Sequence, residues 1–297
     1  MSEPTIRLHI VGSGCPDARA TRYGSAFVLD AGPDKALIDC GPATTWKLAK
    51  MGMHPLDIEH VLFTHHHYDH TVDFPCFALT RFDQAKGNEP SLKVYGPPPT
   101  RDFVDRLLGP RGAFRVDIDS RLAHPASHAC HQMRNGIFPR PPPSLEIHEI
   151  DAGPIASATP WSVTACRVKH VEPTMISLAF RFETRVGGVV FAGDCTDCPA
   201  LRDLARGAHT LVIVCTHFGA SEARDPAIGK AIADVVAGLP EVVAVAKDSG
   251  VRQVILTHAS PNFEQPGRRE QMIAAMARDY NGAILFPDEL TTIPLNP

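Results

Sequence analysis

The stretch Thr64-His65-His66-His67-Tyr68-Asp69-His70 constrains this chain more than any other. It places His65, His67, Asp69 and His70 in the order His-x-His-x-Asp-His, a density of metal-ligating groups that a structural segment has little reason to carry. Just upstream, Ile58 to Thr64 has the β-branched and aromatic content of a buried strand. The cluster therefore falls at a strand's carboxyl end, where open α/β sheets place their chemistry. In extended backbone the period of two puts the His65 and His67 rings on one side, able to grip one ion. Asp69 and His70 follow on a tighter turn and face a second ion. The stretch reads as a site for two metal ions. The alternative is a polar, His-rich turn without metal.

Further ligand candidates stand at other strand ends. His170 ends one strand before Val171-Glu172-Pro173, Asp194 follows Phe191-Ala192-Gly193, and His258 follows Val254-Ile255-Leu256-Thr257. Taken alone, each is an ordinary hydrogen-bonded turn residue. Imidazole and carboxylate together suit a borderline cation such as zinc.

The 297 residues, 44% of them hydrophobic, supply a large core, and one domain with an insertion is the economical organisation. No apolar run approaches the eighteen or so residues of a membrane helix, and the first five residues lack a secretory pattern, so a cytoplasmic protein without membrane contact is expected. Eight cysteines without regular spacing are not a disulfide framework. Cys195-x-x-Cys198 has no second pair and no His at finger spacing, and reads as a turn beside the site. A net charge of −4 gives no general attraction to nucleic acid.

Short strands are expected over 6–11, 26–29, 36–39, 61–64 and 92–95, with helices over 43–51 and 74–80. Strands follow over 145–150, 162–170, 176–182, 189–192, 211–214 and 254–257. Helices over 227–237, 241–249 and 268–279 and a last strand over 283–286 close the chain. Two strand groups flanked by helices suggest a four-layer αββα sandwich. Between about 97 and 143 the composition changes: proline clusters mark both ends, and 100–143 holds seven Arg against four Asp, with no Lys or Glu. That +3 segment leaves −7 for the remainder. It reads as an inserted helical cap bordering the site and able to attract an anion, or as a solvated excursion or dimer contact. Its His128 and His131, at i and i+3, are weak metal candidates beside His124.

These motifs, in order, resemble the metallo-β-lactamase superfamily. The pieces that carry the resemblance are Leu8 to Pro16, Leu37 to Gly41, His65 to His70, Val94 to Pro98, Val168 to His170, Phe191 to Asp194 and Leu256 to His258. The start and middle are similar to the tRNase Z-related branch. The resemblance implies a metallo-β-lactamase αββα fold as a single domain over 1–297. It implies two divalent ions, Zn2+ first with Mn2+ and Fe2+ as alternatives: one held by His65, His67 and His170, the other by Asp69, His70 and His258, with Asp194 between them. A hydroxide bridging the ions would be the nucleophile, with Asp69 and Asp194 taking part in catalysis. Asp39 is expected either to orient a ligand imidazole or to cap backbone N–H groups. His217 follows a strand end where the branch carries a His-Glu motif, but in register Ile213 and Val214 occupy those places; His217 is read as the candidate for the general acid.

The tRNA-processing enzymes carry a long arm between the residues matching His170 and Asp194; here 23 residues separate them. The profile is nearer the small phosphodiesterases of that branch. The expected function is a dinuclear metal-dependent hydrolase of a small anionic ester, with a phosphodiester placed first and a lactone, carboxylic ester or amide second. A tRNA 3′ endonuclease and a non-catalytic metal-binding protein rank lower, and nucleic acid is not the expected partner. Related proteins are often dimers, which makes a homodimer one expectation.

Overall fold

The apolar runs pair into two seven-stranded sheets. The computed structural model describes residues 5–17, 21–32, 34–158, 160–219, 222 and 225–296. In chain order the strands are β1 Ile6–Ser13, β2 Ser25–Asp30, β3 Lys35–Ile38, β4 His60–Leu62, β5 Leu92–Gly96, β6 Leu145–Glu149 and β7 Gly153–Ala158; then β8 Trp161–Arg167, β9 Leu178–Thr184, β10 Gly187–Phe191, β11 Thr210–Val214, β12 Gln253–Thr257, β13 Ala283–Leu285 and β14 Thr291–Leu295. The helices are α1 Thr44–Lys50, α2 Tyr68–Thr71, α3 Phe74–Gln84, α4 Thr100–Leu108, α5 Arg115–Ala123, α6 Pro125–Met133, α7 Pro199–Ala205, α8 Pro226–Ala233, α9 Leu239–Ser249 and α10 Arg268–Met276.

The first sheet runs β14-β1-β2-β3-β4-β5-β6 and the second β13-β12-β11-β10-β9-β8-β7. Each has an antiparallel half and a parallel half: β3 to β6 are parallel in one, and β10 to β13 in the other. Phe27, Ile38, Phe180, Phe182 and Phe191 fill the space between the sheets. Phe27 and Phe191 meet across it with ring centroids 5.9 Å apart. A second apolar cluster lies under α1, α3 and α4, where Leu48, Phe74, Phe77 and Val104 are buried. A third lies under α7, α9 and α10, through Leu201, Val242, Val245 and Met272. Helix, sheet, sheet, helix is the expected four-layer order. At roughly 25 cal/mol per Å2 of apolar surface, these three clusters are the main source of stability.

Three elements escape the sequence reading. β7 and β14 are sheet edges, and α7 is a short helix that begins at Pro199. The chain does not close at 283–286: β14 follows and pairs antiparallel with β1.

The proline-bounded stretch after β5 forms α4, α5 and α6. Val104, Leu108 and Ile118 are buried with Phe77 and Phe82 of α3. Six of its seven arginines have local partners. Arg106 pairs with Asp102, Arg115 with Asp119, and Arg121 with Asp117 and Asp83. Arg134 and Arg140 also turn to Asp83, and Arg101 donates to the carbonyl of Ile147. The pairs inside the segment involve acids already subtracted in its +3, so Asp83 alone offsets the surplus, by one charge.

Candidate metal centre

The ends of the parallel strands carry the candidate residues to one place. Asp39 follows β3, the His65–His70 stretch follows β4, Asp194 follows β10 and His258 follows β12. His170 lies between β8 and β9. The tighter turn expected after His67 is the single helical turn α2, which holds Asp69 and His70. Close backbone approach makes this possible. A Cβ on Gly41 would lie 2.1 Å from the Asp69 carbonyl oxygen, and Gly193 adopts φ +64° with its Cβ position 2.9 Å from Thr64 Cβ.

Two groups of donor atoms result. His65, His67, His170 and Asp194 form one, and Asp69, His70, Asp194 and His258 form the other; within each, every ligand atom lies within 4.8 Å of the rest. Asp194 belongs to both. In the first group His67 Nδ1 stands 3.0 Å from His65 Nε2 and 3.3 Å from His170 Nε2. In the second, Asp194 Oδ1 stands 3.4 Å from His70 Nε2 and Asp194 Oδ2 stands 3.0 Å from His258 Nε2. Asp69 Oδ2 lies 3.3 Å from His258 Nε2.

The surrounding hydrogen bonds decide which nitrogens face inward. Asp39 accepts from Thr64 N and from the Thr64 hydroxyl, and its Oδ2 lies 2.7 Å from His70 Nδ1. His70 Nδ1 therefore carries the hydrogen, and its buried Nε2 has no hydrogen-bond partner. The Thr64 hydroxyl, donating to Asp39, accepts from His65 Nδ1 at 3.0 Å and leaves Nε2 as the lone pair. The Val235 carbonyl does the same for His170 at 2.8 Å. Asp39 thus both receives a backbone N–H and orients imidazoles. Thr64 and the Val235 carbonyl were not legible as orienting groups, because neither residue type announces the role.

The charges agree with this geometry. Burial opposes ionisation of Asp194, but the His258 and His70 imidazoles override it and hold the carboxyl well below its usual range. Burial also opposes charge on His258, yet Asp194 draws its pKa up to about 9. In the protein alone, buried carboxylates are balanced by protons on imidazoles, through the same Nε2 atoms that face inward. A cation would occupy the place of those protons. Converging imidazole nitrogens and two buried carboxylates fit divalent metal ions.

Other candidates lie elsewhere. His66, the spacer in the motif, faces Pro97 O and Thr100 Oγ1 at the start of α4. The His217 ring packs against Gly238, and its two ring nitrogens are buried without partners. Among the described residues, no hydrogen bond or ion pair joins His217 to the seven. His128 Nε2 and His131 Nε2 face separate carbonyls, of Leu122 and Ile137, and His124 Nδ1 accepts from Ala126 N at the start of α6. Cys195 is buried beside Asp194, and all eight cysteines are free. No helix among the described residues is long and apolar enough to cross a membrane.

Comparison with known proteins places this geometry. The β-lactamase superfamily domain matches residues 27–259. Ribonuclease Z of Mycobacterium bovis is 29% identical, over 98% of this chain and 99% of its own. Among solved structures, human tRNase Z, short form, superposes with a TM-score of 0.68 at 18% identity, covering 98% of this chain and 100% of its own. A diphosphatase from the PhnP family gives 0.65 at 14% identity, covering 98% and 97%. Near-complete coverage of the Ribonuclease Z leaves no room for a long extra arm in either chain. The short interval between His170 and Asp194 therefore does not separate this protein from that relative.

Proposed function

The chain belongs to the metallo-β-lactamase superfamily of hydrolases, and from that premise we propose that it hydrolyses phosphodiesters at a centre for two divalent metal ions. The observation that carries the reading is the shared carboxylate of Asp194, which stands between two complete donor groups. His65, His67 and His170 would hold one ion and Asp69, His70 and His258 the other, with Zn2+ the first choice for this mixture of imidazole and carboxylate. Such a pair, when bound, supplies an acidified water and positive charge against a phosphoryl group.

The protein's own residues do the positioning. Asp39 fixes His70 directly and His65 through the Thr64 hydroxyl, so one imidazole in each group is held in a single tautomer and orientation. The Val235 carbonyl fixes His170. Asp194 and Asp69 carry the negative charge that concentrates cations at the strand ends. His217, three residues beyond β11, is the proposed proton donor to the leaving group; its two ring nitrogens are buried and have no protein partner, so the role requires the ring to turn toward the substrate.

A small phosphodiester is the first substrate class; six of the seven arginines in 100–143 already face local acids or carbonyls. Cleavage of RNA near a 3′ end is the second, favoured by the relative named Ribonuclease Z. The test is turnover by the metal-loaded protein on bis(p-nitrophenyl) phosphate, a 3′-extended tRNA precursor and a simple lactone. Hydrolysis of the diester with no action on the lactone supports the reading. Lactone hydrolysis alone refutes it.

A further inference from the structure

The two donor groups are placed in different ways. His65, His70 and His170 each face a group that orients the ring: the Thr64 hydroxyl, Asp39 and the Val235 carbonyl. Among the described residues, no hydrogen bond from outside the donor set reaches the side chains of Asp69 and His258, which stand 3.3 Å from each other. Their placement falls to their backbone. That backbone rests on two adjoining strand ends. At the end of β1, Ala259 N donates to Ser13 O and Gly14 pairs with Ala259, directly after His258. At the start of β2, a Cβ on Gly24 would lie 2.6 Å from the Asp69 carbonyl oxygen. Gly14 N donates to Gly24 O and ties the two ends together.

A buried ion pair grips the same backbone. Glu289, in the loop between β13 and β14, places Oε2 2.5 Å from Lys47 Nζ of α1, with the two side chains 9% and 7% exposed. Its Oε1 accepts from Ser13 N at 3.0 Å and from Tyr23 N. Lys47 Nζ donates in turn to Tyr23 O at 2.9 Å. One acid and one ammonium thus hold the residues immediately before Gly14 and Gly24. Arg22 closes the same loop, donating to the Ser13 hydroxyl at 2.8 Å and to the Pro287 carbonyl. Removing two charges from water seldom gains net stability, and the best-attested use of such a pair is to fix one arrangement over others.

We propose that Glu289 is a positioning residue for one of the two ions: paired with Lys47, it sets the backbone that carries Asp69 and His258, and with it the affinity of the Asp69-His70-His258 group alone. The inference rests on the two-metal reading of the site. The His65-His67-His170 group is set by other means. Among the described residues, its orienting groups, Thr64 and the Val235 carbonyl, have no bond to Glu289 or Lys47.

The test is zinc competition against a chromophoric chelator, on the full chain, in two backgrounds: His67→Ala, which retains the Asp69 group, and Asp69→Ala, which retains the His65 group. Glu289→Met keeps the length of the side chain and removes its acceptors. It should weaken the ion of the His67→Ala protein at least about tenfold, the order of loss seen for outer partners of metal ligands, and that of the Asp69→Ala protein by less than about twofold. Lys47→Met/Glu289→Met leaves no lone charge buried and should reproduce the selective loss, which keeps the test valid if Glu289→Met misfolds. Equal weakening in both backgrounds, as a general loss of structure would give, or no weakening in either, overturns the positioning role. Absence of any zinc from the His67→Ala protein overturns the two-metal reading, and this inference with it.

Discussion

Asp39 Oδ2 stands 2.7 Å from His70 Nδ1, and both side chains are 1% exposed. The same carboxylate accepts from the Thr64 hydroxyl that faces His65, so one buried acid orients an imidazole in each donor group. Loss of an outer orienting group commonly lowers metal affinity about 10–100-fold. Asp39→Asn should weaken both ions by that order, whereas Thr64→Val should weaken chiefly the ion of the His65 group. Competition with a chromophoric chelator separates the two; equal effects from both variants would count against the shared role.

Metal removal should destabilise the fold. Ions bound only by the native state stabilise it by about 2.7 kcal/mol at a hundredfold excess over Kd. Without them Asp69 and Asp194 remain buried beside each other, answered only by imidazoles. Scanning calorimetry with and without a chelator should give a lower Tm for the stripped protein, restored by added Zn2+. An unchanged Tm would mean that the donors hold no ion.

These donors were the most legible part of the chain, for a physical reason. Metal ligands must be particular residue types, and Asp194 and His258 each follow an apolar run short enough to be a strand, whereas His170 stands three residues beyond β8, outside the strand expected over 162–170. Orientation was less legible: Asp39 was readable as either a cap or an orienting group, and it serves as both. Of the four sheet edges, β6 and β13 were legible, and β7 and β14 were missed because they lack the pattern of central strands. β7 begins Gly-Pro, and β14 holds Pro294, which leaves no N–H for a ladder. In the Arg-rich segment, counting charges says nothing of pairing, and only the folded chain brings Asp83 to Arg121, Arg134 and Arg140.

Far from the donors, Asp34 offers a pH test. Burial, reinforced by Glu59, raises its carboxyl to about 6, and its buried Oδ1 has no hydrogen bond. A folded pKa above the unfolded value of about 3.9 means that the contribution to stability is full below pH ~4 and is lost as pH rises through about 6. Asp34→Asn should therefore raise Tm by about 2–5 °C at pH 8, on the order of 1–3 kcal/mol, and give no gain at pH 4. A gain of equal size at both values would assign the effect to something other than ionisation.

His217 is tested by leaving group. If it donates the proton, His217→Ala should slow alkyl phosphodiesters by about 10²–10³ while leaving nitrophenyl esters, whose anion departs unaided, within a few-fold of wild type. Parallel losses on both substrates would remove it from that role.

The most direct measurement is metal content by plasma mass spectrometry after zinc loading and dialysis, for the wild type, His67→Ala and Asp194→Ala. Two ions per chain are predicted for the wild type, one for His67→Ala, and fewer than two, with activity lost, for Asp194→Ala. Two tightly held ions in all three proteins, or none in the wild type, would contradict the assignment of these seven side chains to a two-metal centre.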